Sequence, residues 1–259
     1  MGKIRTLGNI HALKAKIEER LATIPSPVRL ADKIVLVDVG ASRGLQQKWL
    51  RHRHNIIPVV FEPNPDEVEA MEACLAGFSA FRIVNYGLSD RSGTYTLHIG
   101  ASYSTSSLLP ANMELLGDYD IARYFRTDRT EEVCCVRYDE LVAREAAFAP
   151  DVIKIDVEGF ETRVIDGFGD LLHDVLGIET EAWFYPGFKG QGMFHEIIEK
   201  LDRFGLRLRR METVPGFEGD LVCVNAYFTM QRRRYQTLSA ERKEKFAVMS
   251  KVWKLPAYQ

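Results

Sequence analysis

Several familiar signatures are missing from this 259-residue chain. Its four cysteines, Cys74, Cys134, Cys135 and Cys223, form no C-x-x-C pair. Neither a zinc site nor a redox pair is therefore expected, and the thiols read as members of a reduced interior. The first thirty residues carry charges throughout and no long apolar run. Nothing there reads as a signal peptide or a membrane span, and the expected location is cytoplasmic. The formal net charge is only -2, so the chain has no global basic field to draw it to nucleic acid or a membrane. There is no internal repeat and no G-x-G-x-x-G dinucleotide fingerprint. The oligomeric state leaves no mark on the sequence.

What is present is a large apolar fraction, 46% of residues, arranged as an alternation of strands and helices. Lys33–Val39 is a continuous apolar run ending in an acid, the pattern of a buried parallel strand. Gly40 to Gly44 makes a tight turn, and a helix is expected from Leu45 to Arg53. Ile57–Phe61 and Phe81–Asn85 read as further strands, with a helix from about Asp66 to Ala76 between them. A β-turn-α-β-α-β unit of this kind argues for a doubly wound α/β sheet. Later strands are expected at 133–137, 151–157, 175–182, 206–211 and 221–229. Residues 1–30 read as an N-terminal helical extension, with apolar spacing from His11 to Leu21. Residues 31–230 form the domain, and 231–259 a basic helical tail whose Arg232–Arg234, Arg242, Lys243 and Lys245 suit a solvated face. Residues 100–130 are polar and irregular, either a lid over the site or surface decoration.

Two stretches carry chemistry. In the first, Gly40 and Gly44 either serve a tight turn or let a ligand approach the backbone. Asp38 caps that turn or touches a ligand. Glu62, at the end of the second strand, is placed to accept hydrogen bonds from ribose hydroxyls, as a nicotinamide cofactor would also require. In the second, Lys154, Asp156 and Glu158 alternate at the end of another strand, where charges are costly unless paired. Asp156 is the first choice to orient or deprotonate an acceptor, followed by Glu158, Glu179 and Glu181. These acids would also suit a hard divalent cation, although no metal is assigned. His173 and His195 read as structural. Tyr103, Ser104 and the Ser/Thr run around them, with Glu181 and Trp183, are the candidate acceptor contacts.

These stretches resemble the FkbM family of S-adenosylmethionine-dependent methyltransferases. VDVGASRG at Val37–Gly44 is similar to its first motif, which more often has Asn where Ser42 stands, and FEPNP at Phe61–Pro65 matches the second. NYGLSDRSG at Asn85–Gly93, VRYDEL at Val136–Leu141 and the full octet KIDVEGFE at Lys154–Glu161 follow in order. IETEAWF at Ile178–Phe184 and GDLVCVNAYF at Gly219–Phe228 complete the series. The resemblance implies a Rossmann-like class I methyltransferase fold: a seven-stranded, mostly parallel sheet with helices on both faces and an antiparallel edge hairpin. It implies S-adenosyl-L-methionine as cofactor, with Gly40, Ser42 and Gly44 around its methionine part, Glu62 on the ribose, and Ser89 or Asp90 near the adenine. It implies methyl transfer to a hydroxyl of a small molecule, either a sugar or a secondary metabolite. A nicotinamide-dependent oxidoreductase and a non-catalytic binding protein on the same scaffold are the competing readings.

Overall fold

A computed structural model describes residues 31–41 and 44–258. The expected N-terminal helix and Ser42 lie outside the described residues. The chain enters the sheet as β1 (Ile34–Val39), whose side chains are buried at five of six positions. A strand covered on both faces needs such an unbroken apolar run. A short helix, α1 (Gln47–Leu50), leads to β2 (Ile56–Phe61), which has the same burial pattern. Helix α2 (Pro65–Leu75) returns the chain to β3 (Arg82–Val84).

Next come β4 (Gly87–Leu88) and β5 (Gly93–Gly100), two short helices, α3 (Met113–Leu116) and α4 (Ala122–Phe125), and then β6 (Thr127–Val136). Strand β6 starts six residues earlier than the sequence pattern suggests. Its first half, Thr127–Glu132, is polar and largely exposed, so it shows no apolar alternation. Backbone pairing to β5 holds it instead, with Thr96 donating to Glu132 across the pair at 2.9 Å. The order β4-β6-β5 makes a small second sheet. The stretch between β5 and β6 was expected to be irregular, but it is built on a core of its own. Leu116 and Phe125 pack there with Trp183, Phe188, Phe217 and Val222.

Helix α5 (Tyr138–Ala143) leads into β7 (Val152–Ile155), α6 (Glu161–Phe168), β8 (Gly177–Trp183), α7 (Phe194–Arg203), β9 (Leu206–Thr213) and β10 (Cys223–Met230). The main sheet is seven-stranded, in the order β3-β2-β1-β7-β8-β10-β9. Its first five strands are mutually parallel, and β10 runs antiparallel to both neighbours. This is the Rossmann-like class I methyltransferase topology. The order turns back between β1 and β7, so a crevice opens at their carboxyl ends, where ligands of open α/β sheets bind.

The last segment is less solvated than its composition suggests. After α8 (Arg232–Gln236), helix α9 (Ala240–Val252) sends Phe246, Met249 and Val252 into the main core, followed by Trp253. Lys245 is buried and bridges Asp151 at 2.8 Å and Asp32 at 2.7 Å. Arg234 donates to the Val175 carbonyl at 2.7 Å, and Arg242 to that of Asp174. Those basic residues hold the helix down by satisfying carboxylates and free carbonyls. No helix among the described residues is long and apolar enough to cross a membrane.

Candidate active site

A cavity of about 370 Å³ opens over the carboxyl ends of β1, β2, β7 and β8. Of the residues singled out from sequence, Gly40, Glu62, Tyr103, Ser104, Asp156, Glu158 and Glu181 line it. Strand register explains why. Asp38, Lys154, Glu179 and Tyr227 stand side by side on adjacent strands, and Glu181 pairs with Asn225 one step nearer the carboxyl end. Side chains two residues apart share a face, so the site has two polar tiers.

The lower tier is internally neutralised. Lys154 reaches Asp38 Oδ1 at 3.1 Å and Asp156 Oδ2 at 3.4 Å, and donates to the Gly40 carbonyl at 3.2 Å. Burial opposes its charge, but Asp38 and Asp156 outweigh that and hold its pKa above the ordinary lysine value. Burial raises the pKa of Asp38, against the pull of Lys154. Glu179 is paired with Lys48 at 2.5 Å and does not face the cavity.

At the β1 turn, Gly40 has φ +83°, and a Cβ there would lie 1.8 Å from the Asp156 carbonyl oxygen. Only glycine lets the two loops meet so closely. Gly44 also has positive φ but is packed against Cys74 rather than the cavity. Glu62 caps β2, its Oε1 accepting from Tyr103 Oη at 2.6 Å and from the Asn64 amide at 2.9 Å. Burial raises its pKa and those two bonds pull it back. Tyr103 was expected to meet the acceptor; its hydroxyl instead meets Glu62. Ser89 is fully buried and bonded to Asp90 and Tyr95 at 2.9 Å each. Neither Ser89 nor Asp90 lines the cavity, although Gly87 and Leu88 beside them do.

The upper tier is acidic. Oxygens of Asp156, Glu158 and Glu181 lie within 4.8 Å of one another, with Glu161 close behind. Glu158 sits at φ +55° and Gly159 at +90°, so the chain turns sharply just after β7. Ser107 secures this turn by donating to the Glu158 carbonyl at 2.6 Å, and Glu161 accepts the amides of Val157 and Gly159 at 3.1 and 3.2 Å. Glu158 Oε2 is sealed from solvent and has no hydrogen-bond partner among the described residues. Burial pushes Glu158 and Glu181 well above the usual carboxylate range, and the neighbouring acids add to it. Burial also pushes Glu161 up to about 7. Carboxyl groups tuned upward in this way can take a proton near neutral pH. Trp183, expected at the acceptor, is buried instead in the small core and donates to Glu181 Oε2 at 3.0 Å.

Gln46, Ser106, Ser107 and Asn225 also line the cavity. Ser106 and Ser107 belong to the Ser/Thr run, whereas Asn225 betrays itself only as a lone amide in an apolar strand. Gln46 has no local sequence signal. Glu161 closes the KIDVEGFE octet, and only the fold reveals its part in the acid cluster.

The family described as "Methyltransferase FkbM domain" matches residues 38–208, a span that holds every expected cavity residue from Gly40 to Glu181. The chain is 24% identical over 198 residues to the 2-O-methyltransferase NoeI of Sinorhizobium fredii, covering 74% of this chain and 79% of that one. It is 28% identical over 148 residues to the hexuronic acid methyltransferase AglP of Haloferax volcanii, covering 57% and 55%. Among solved structures, magnesium protoporphyrin IX methyltransferase of Synechocystis PCC 6803 aligns with a TM-score of 0.42 at 9% identity, covering 89% of this chain and 85% of that one.

Proposed function

The chain belongs to the FkbM methyltransferase family, and from that premise we propose that it transfers a methyl group from S-adenosylmethionine to a hydroxyl of a small molecule, with a sugar as the favoured acceptor. The observation that carries this is the convergence of the Gly40 turn, Glu62 and the Asp156–Glu158–Glu181 cluster on one cavity. The residues fit the cofactor. Gly40 lines the cavity at the turn after β1, where its missing side chain lets the Asp156 loop close against it, and Glu62 offers a buried carboxylate at the end of β2. The names of the two relatives, a 2-O-methyltransferase and a hexuronic acid methyltransferase, support oxygen and sugar.

S-adenosylmethionine supplies an electrophilic methyl on a sulfonium, so the protein's task is placement and proton removal. Glu62, held by Tyr103 and Asn64, would accept the ribose hydroxyls. Lys154 fixes Asp156 and the Gly40 carbonyl in one arrangement. Asp156, Glu158 and Glu181 would orient the acceptor hydroxyl and take up its proton. The segment bearing Tyr103, Ser104 and Ser106 would exclude water as a cover over the site. Residues 231–259 would brace the domain from behind rather than act on the acceptor.

Incubation with methyl-labelled S-adenosylmethionine and a panel of glycosides tests the proposal. Labelled ether product together with S-adenosylhomocysteine is expected, and loss of both in Asp156→Asn. Wild-type protein that binds the methyl donor yet methylates nothing in a broad hydroxyl panel would favour a binding protein on this scaffold.

A further inference from the structure

The walls of the cavity carry a marked charge asymmetry. Four carboxylates line it, those of Glu62, Asp156, Glu158 and Glu181, and no Lys, Arg or His lines it among the described residues. Among the described residues, the two lysines that reach the polar tier beneath the cavity are engaged: Lys154 by Asp38, Asp156 and the Gly40 carbonyl, and Lys48 by Glu179. Glu62 is held on the side of Tyr103 and Asn64. The other three acids face the remaining space, with oxygens within 4.8 Å of one another, and Glu158 Oε2 is sealed in without a partner. Buried carboxyl groups are stable only when protonated or paired. The remaining polar side chains of the lining, those of Gln46, Tyr103, Ser104, Ser106, Ser107 and Asn225, offer no positive charge.

We propose that the acceptor is a hydroxyl compound with a protonated amine beside the reacting hydroxyl, of the amino-sugar class, held by Asp156, Glu158 and Glu181, and that acceptors bearing a carboxylate or phosphate are rejected. This rests on the methyl-transfer reading of the same cavity. The ammonium donates to two of the carboxylates, and the third takes the hydroxyl proton. The acceptor oxygen forms the new C–O bond as the sulfonium C–S bond breaks, its electron pair remaining on sulfur. Glu158 is faced by Glu181 from β8, by Asp156 from the turn after β7, by Glu161 from the first position of α6, by Lys154 from β7 and by Cys223 from β10. Because this company and burial hold protons on Glu158 and Glu181, a cationic ligand must displace them, and its affinity rises with pH until the amine itself loses its proton.

The test is calorimetry on the full chain saturated with S-adenosylhomocysteine. The probes are methyl glucosaminide, methyl glucoside and methyl glucuronide. The glucosaminide is expected to bind at least about tenfold tighter than the glucoside, with no heat from the glucuronide. That preference should shrink at acid pH and vanish in Glu158→Gln and Glu181→Gln, which should still bind S-adenosylhomocysteine. Equal affinities, no binding by any probe, or a glucuronide that binds best would overturn the proposal. So would magnesium binding at the trio that erases the amine preference. A wild type that fails to bind S-adenosylhomocysteine would strike instead at the methyl-transfer reading.

Discussion

Lys154 shows how much of this site rests on single contacts. It joins Asp38, Asp156 and the Gly40 carbonyl from a position only 6% exposed. Lys154→Met removes the cation that Asp38 is bonded to and leaves it buried with only the weaker pull of Lys48. Breaking such a pair costs roughly 3 kcal/mol or more. Denaturant unfolding should show a loss of that order, with Lys154→Arg retaining part of it. A variant as stable as wild type would mean the three groups find other partners. Glu161 makes a prediction of opposite character. Its folded pKa is raised to about 7, so folding favours its protonated form. Its stabilising contribution is full below about pH 4.5 and is lost as pH rises through about 7. One unit is worth about 1.4 kcal/mol, so the fall across this window is on the order of 3 kcal/mol. Glu161→Gln should flatten that slope in the ligand-free protein, and an unchanged slope would contradict the assignment.

At the scale of elements, legibility followed periodicity. β1, β2 and β7 announce themselves because a strand buried on both faces is largely apolar. β6 did not, since the first half of an exposed strand held by backbone pairing needs no apolar pattern. The segment between β5 and β6 was opaque for a different reason. Its core partners, Trp183, Phe188, Phe217 and Val222, lie far away in sequence, and no local window contains them. The same nonlocality moved Trp183 out of the acceptor site and into packing. Trp183→Ala should therefore destabilise the fold by about 3–5 kcal/mol while leaving S-adenosylhomocysteine affinity nearly unchanged in the folded fraction. A stable variant with selectively lost acceptor turnover would return Trp183 to the site. Alternation alone does not tell Glu179, which pairs with Lys48, from Glu181, which lines the cavity, because the two share a face.

For the whole molecule, the sheet order turns back between β1 and β7, and Gly40, Glu62, Tyr103, Ser104, Asp156, Glu158 and Glu181 gather around the cavity there, whereas Gly44, Ser89, Asp90, Glu179 and Trp183 do not line it. Gly40, Glu62, Asp156 and Glu158 could be read from the chain because each stands at the end of an apolar strand. Their grouping into a neutral lower tier and an acidic upper tier could not, because it depends on which strands are neighbours. Family membership removes the need for a nicotinamide reading of Glu62, which the missing dinucleotide fingerprint had already weakened. The C-terminal segment completes the picture, since Trp253 packs edge-on to Trp49 beneath the β1 turn at 6.3 Å between ring centroids.

The proposed reaction requires that Glu62 and the Gly40 turn hold an adenosyl cofactor. Calorimetric titration of the dialysed full chain with S-adenosylhomocysteine, beside Glu62→Ala, tests it directly. Saturable one-site binding is expected for the wild type, with a loss of roughly tenfold or more in the variant because a charged hydrogen-bond acceptor is removed. No binding by the folded wild type, or equal affinity in both proteins, would contradict it.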